Sequence, residues 1–308
     1  MFCNAIKVIT SSLIGLVVFG LSSAKALEIN VTPPRMDLDI TKQTRSNTIK
    51  ITNFSDKPAE MKAYVRNWIM DEKNQLQDSP SNEQSLDQWI VFTPSRFTVP
   101  PRGTQTIRFA IRPKVKLNPG EYRAVIYLEE IPSNNPNSEN IETLGSVGVV
   151  IYGNAGEIKR VGTVNSVTVD TKPNAIKAIF DVSNKGNAHI RMGGQYAIWR
   201  AGNYPGAKAT QTINGAGNSK AKLPANVVQT GTIELPPVLP NNRRQLVLPL
   251  IEKLPPGKYV LDINANLSGM AVDTGIPFTV PPTANASQPS SSPASRINSA
   301  IQTIPIKK

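Results

Sequence analysis

From Val99 to Pro132 apolar and polar positions alternate in two bursts, VPPRGTQTIRFAI and NPGEYRAVIYLEEIP. In the first, Thr104, Thr106, Arg108 and Ala110 fall on one face, and Gln105, Ile107, Phe109 and Ile111 on the other. In the second, Tyr122, Ala124, Ile126 and Leu128 oppose Arg123, Val125, Tyr127 and Glu129. A period of two bounded by Pro and Gly predicts antiparallel strands of an all-β domain. The phrase recurs later as LPNNRRQLVLPLI, Leu239–Ile251, followed by PPGKYVLDINANL, Pro255–Leu267. Each copy is a polar turn, an alternating strand, a Pro-Gly turn and a strand entered through a tyrosine. Two copies in the same order predict two tandem immunoglobulin-like β-sandwich domains.

Further strands are expected at Glu28–Val31, Arg35–Ile40, Ser46–Asn53 and Ala59–Ile69 in the first half. The second half offers Gly162–Asp170, Ala175–Asn184, Ile190–Trp199, Gly231–Leu235, Gln245–Leu250 and Tyr259–Asn266. Asn74–Gln88 is polar and reads as a long loop, and Asn203–Lys222, rich in Gly, Ala and Asn, as a mobile one. GNAGEIKR, Gly153–Arg160, has the composition of a boundary. The expected layout is therefore a leader over 1–26, domains over 27–155 and 156–281, and a Ser/Pro/Ala-rich disordered tail over 282–308.

The leader follows from Lys7, an apolar core Ser12–Leu21 and the small-residue triplet Ala24-Lys25-Ala26. That core covers about ten residues, too few to span a bilayer of about 30 Å as a helix. A cleaved signal peptide and a periplasmic or secreted product are expected. The single cysteine, Cys3, lies in the leader, so the mature chain has neither disulfide nor thiolate ligand.

Chemistry is scarce. One histidine, His189, sits on an expected strand, and no G-x-S-x-G surrounds a serine. Glu129 and Glu130 are adjacent and so face opposite sides of a strand, which rules out a paired acid and base. No clustered metal ligands and no phosphate-binding glycine loop occur. A non-enzymatic protein without cofactor or small-molecule substrate is expected. Lys and Arg total 34 against 22 Asp and Glu, for a net charge of +12. That excess favours anionic partners. The basic residues are scattered and lack interleaved aromatics, which argues against nucleic acid.

The first half resembles the N-terminal domain of the PapD-like periplasmic pilus-assembly chaperones. The resemblance runs from Leu27 to Asn154 through Pro34-Arg35, ITNFSDKPAEMKAYVRNW, Phe92-Thr93-Pro94, Val99–Arg108, Tyr127–Pro132 and IETLGSVGVVIYGN. It implies a chaperone that lends the long last strand of this domain to a pilin-like or other exported β-sandwich subunit lacking a strand. An outer-membrane usher is the further partner it implies. Arg35 falls at the position of the family's carboxylate-gripping arginine. The matching lysine is replaced by Val149, and Lys159 and Arg160 are the nearest basic alternatives. The expected subunit-binding set is Arg35, Ile141, Leu144, Val147, Val149 and Ile151, the last three sharing a face. The competing expectation is a structural or adhesive envelope protein bound to anionic polysaccharide.

Overall fold

The computed structural model describes residues 28–41, 46–132, 145–172, 175–251 and 253–282. The expected leader lies outside these residues, as does the expected tail beyond 282. The described chain is all-β, its only helical pieces being three short 3-10 turns. It divides into two compact units. The first comprises the described residues up to Ile69 together with Gln77–Asn118 and Tyr122–Gly156; the second takes Met70–Leu76, Pro119–Glu121 and the chain from Glu157.

The strands of the first unit are β1 (Ile29–Thr32), β2 (Arg35–Asp39), β3 (Asn47–Asn53), β4 (Ala59–Met70), β5 (Leu76–Ser79), β6 (Ile90–Thr93), β7 (Arg96–Val99), β8 (Thr104–Ile111), β9 (Gly120–Glu130) and β10 (Ser146–Ala155). One sheet runs β1-β3-β8-β6 and the other β2-β10-β9-β4-β5, with β7 also paired to β4. Alternation then does what period two requires. Ile107, Phe109 and Ile111 of β8 meet Ala124, Ile126 and Leu128 of β9, and all six are at most 1% exposed. Each of these side chains except the smaller Ala124 contributes roughly 1.5–3 kcal/mol. β8 and β9 belong to different sheets, so the Pro-Gly turn between them carries the chain from one layer to the other.

The second unit repeats the plan with β11 (Gly162–Lys172), β12 (Ala175–Asn184), β13 (Met192–Arg200), β14 (Val227–Glu234), β15 (Arg243–Ile251), β16 (Gly257–Leu267) and β17 (Met270–Val280). Its sheets run β11-β12-β15 and β14-β13-β16-β17. Phe180, Ile198, Ile233, Leu246, Leu261 and Ile263 fill its core.

Two devices occur in both units. The tyrosine entering β9, Tyr122, and the one entering β16, Tyr259, each donate a hydroxyl four residues back, to the Asn118 carbonyl at 3.1 Å and the Pro255 carbonyl at 2.9 Å. Such corners lock the turn between layers of immunoglobulin-like sandwiches. At the ends of β3 and β12, buried Asn53 and Asn184 pin the following turns. The Asn53 amide donates to the Lys57 carbonyl at 2.7 Å, and the Asn184 amide to the Ala188 and Val238 carbonyls at 2.8 and 2.9 Å.

The structure departs from expectation at several points, among them the strands β6 and β7 and the extension of β10 to Ala155, inside the expected boundary. The polar stretch Asn74–Gln88 contains the short edge strand β5 and a 3-10 turn, Leu86–Gln88, that buries Leu86 completely. Asn203–Lys222 is fastened to β13 and β16. Tyr204 donates to Asp262 at 2.8 Å, and the Ile213 N–H to Gln195 at 3.0 Å. The whole of β17 also escapes the sequence pattern. Pro277 interrupts it, which an edge strand tolerates because its outer side needs no donor.

Candidate strand-pairing edge

β10 has β9 on one side and β2 on the other. The β2 pairing is parallel and begins at Val150 opposite Arg35, then continues through Asn154 opposite Asp39. It starts there because Pro33 and Pro34 have no N–H to extend the ladder. Among the described residues, no strand pairs with that side of Ser146–Val149. About 13 Å of β10 is thus an open edge.

Hydrogen bonding shows which groups face it. The Val150 N–H donates to the Pro34 carbonyl, and the Gly145 carbonyl accepts from the Glu130 N–H of β9. Residues alternate their hydrogen-bonding side along a strand. Ser146 and Gly148 therefore present N–H and C=O to the open edge, and Val147 and Val149 bond towards β9.

The side chains sort perpendicular to this. Val149 and Ile151 point into the core of the first unit at 0% exposure, with Val147 half-buried beside them. These three share a face, as the sequence predicts, and that face looks into the chain's own sandwich. Ile141 and Leu144 lie outside the described residues. Arg35 is exposed at the first residue of β2, level with the point where the open edge ends. Lys159 belongs to the second unit, 3.3 Å from Glu157. His189 is buried in that unit as well, its Nδ1 2.5 Å from Glu121 Oε2.

The outer face beside the open edge is aromatic and tightly tethered. Tyr127 of β9 lies next to Gly148, where a Cβ would come within 2.9 Å of Val125 Cγ2 and 3.3 Å of Tyr127 Cε1. The Tyr127 hydroxyl donates to Asp78 at 3.2 Å, and its ring sits 5.3 Å from that of Tyr64. Tyr64 in turn donates to Glu129 at 2.8 Å, and Lys62 pairs with the same carboxylate at 2.9 Å. The Arg66 guanidinium lies 5.2 Å from the Tyr64 ring centre. Burial, then the Glu129 bond, pushes the Tyr64 phenol up to about 12. Burial, then the charge of Asp78, pushes Tyr127 up. Lys62, then Tyr64, holds Glu129 below the usual carboxylate range. Both phenols thus stay neutral donors at physiological pH. The sequence reading missed Ser146, Gly148 and Tyr127, although a glycine in a strand is itself a signal of close approach.

Residues 28–147 match the family model of the pili and flagellar-assembly chaperone PapD N-terminal domain. This part of the first unit is similar to a PapD N-terminal domain. The match takes in β1 to β9 and reaches the beginning of the open edge. No curated protein matches the chain. Among solved structures, a chaperone–tip adhesin complex of CFA/I fimbriae biogenesis aligns at 16% identity over 82% of this chain and 97% of its own, with a TM-score of 0.39. The Escherichia coli chaperone DraB aligns at 15% identity over 81% and 98%, with a TM-score of 0.38. The CsuC–CsuE chaperone–tip adhesion subunit complex of Acinetobacter baumannii aligns at 14% identity over 81% and 97%, also at 0.38.

Proposed function

We propose that the chain is a periplasmic chaperone of pilus or other surface-fibre assembly, which holds an exported β-sandwich subunit by adding the open edge of β10 to that subunit's sheet. The similarity of residues 28–147 to the PapD N-terminal domain supports the chaperone role, and the half-covered edge of β10 is the observation that carries the mode of binding. The other ends of its sheets are short. β1, β5 and β6 are four residues each, and β1 and β6 run directly into proline. Short, proline-stopped edges discourage pairing with other chains. Among the described residues, β10 lacks that protection over Ser146–Val149.

A subunit strand laid there continues the line of β2 and ends against Arg35, whose guanidinium suits a carboxylate. Main-chain bonds supply affinity without regard to sequence, and the subunit's exposed edge strand gains a partner. With Val149 and Ile151 committed to the domain's own core, the apolar donors belong to the half-buried Val147 and to Ile141 and Leu144 upstream of it. Such capture is a binding equilibrium and needs neither a catalytic step nor a cofactor.

The test is co-purification of subunits from the periplasm with tagged wild type, Ser146→Pro and Arg35→Ala. Proline removes one N–H from the open side at a position where an edge strand tolerates it. Circular dichroism should be unchanged in both variants. Capture should fall at least tenfold with Ser146→Pro and severalfold with Arg35→Ala. Undiminished capture by a folded Ser146→Pro variant would refute strand addition at this edge.

A further inference from the structure

Gly148 sits at the centre of the open edge, with its N–H and C=O turned outward and no side chain on the outer face. The space a side chain would take is bounded by Val125 and the ring of Tyr127. Because paired residues carry their side chains on the same face, a strand residue placed opposite Gly148 projects its side chain over that glycine towards Tyr127. The ring is half-buried and fixed at its far end by Asp78, with Tyr64 packed behind it. A half-exposed flat ring beside a glycine matches an aromatic or large apolar group.

Charge sets the register. Arg35 is level with Val150, two residues beyond Gly148 and on the same outer face. An acidic group at the end of the incoming strand settles there, about 7 Å along the strand from the glycine. Nothing comparable exists on the inner face, which is filled by the domain's own Val149 and Ile151.

We infer that Tyr127 and Gly148 form a selectivity seat: they favour a subunit strand carrying an aromatic side chain opposite Gly148 when its terminal carboxylate reaches Arg35. This rests on the edge-pairing reading above and adds which strands the edge prefers.

The experiment uses the full chain and ten-residue peptides of alternating Val and Thr with a free carboxyl end, each labelled at the amino end. A single Phe is moved through the Thr positions, and binding is followed by fluorescence anisotropy. In wild type one Phe position should bind about three- to tenfold tighter than the all-Thr reference, the range expected for one aromatic pair. Tyr127→Leu should abolish that preference, so that every Phe peptide binds this variant no tighter than the all-Thr reference does. Tyr127→Phe, which keeps the ring and loses the Asp78 bond, should retain it. Gly148→Val should also remove the preference.

If all peptides bind equally, or if the preference survives in Tyr127→Leu, the seat is refuted and edge pairing stands. If no peptide binds wild type, edge pairing and the seat fall together.

Discussion

Asp262 shows how a single residue can set the pH response of a loop. It is 2% exposed on β16 and accepts from the Tyr204 hydroxyl, which fastens the segment after β13. Burial raises its pKa above 3.8, and the charge of Asp273 on β17 adds to the shift. The native state therefore holds the proton more tightly than the unfolded chain. Stability from this group is complete below about pH 4 and is lost as pH rises through the raised value. Asp262→Asn removes that dependence and keeps an acceptor for Tyr204. The melting temperature of the variant minus that of wild type should accordingly grow between pH 4 and 7. A difference independent of pH would show that Asp262 is ionised in the fold at little cost. Asp181 is the opposite case. Its bond to Arg243, then Asn165, holds it at about 2, so its contribution is present at neutral pH and is lost only on acidification.

At the scale of the element, β10 divides its residues between two tasks. Ile151 faces the core at 0% exposure, so Ile151→Ala should cost about 2–5 kcal/mol in chemical denaturation of the first unit. A loss below 1 kcal/mol would mean that β10 is not integral to the sandwich. The alternation of Val147, Val149 and Ile151 is legible in the sequence because period two needs no tertiary knowledge. Which sandwich that face enters is not, since both an own core and a subunit's groove call for apolar side chains. The openness of the edge depends on where β2 stops. Pro33-Pro34 writes that stop into the sequence, yet its meaning emerges only once β2 is placed beside β10. β5 is illegible for a different reason: its two middle residues, Gln77 and Asp78, are exposed, so it offers no contrast between faces. The anchoring of Asn203–Lys222 is equally hidden, because its ties, the hydrogen bonds at Tyr204, Thr210 and Ile213 and the packing of the Tyr204 ring on Trp199, have no period.

For the whole molecule, the repeated phrase in the sequence corresponds to two sandwiches with separate cores. No residue of the cluster around Ile107 and Ile126 recurs in the one around Phe180 and Leu261. Separate cores predict two calorimetric transitions, as expected of multidomain chains. Phe180→Ala should lower one of them and Ile151→Ala the other, with the second transition unmoved in each case. A single transition that shifts in both variants would mean that the sandwiches unfold as one cooperative body.

The parallel pairing of β2 with β10 also bears on the order of events during folding. β2 has no other neighbour in its sheet, and all of β3 to β9 lies between the two in the chain. A chain emerging amino end first must therefore wait for almost the entire first unit before Arg35 acquires its position. Closing so long a loop is slow, and local pairings form ahead of it. The pairing of Arg35 with Val150 is thus among the last to form, and the neighbouring edge of β10 takes its final bounds only with the finished fold.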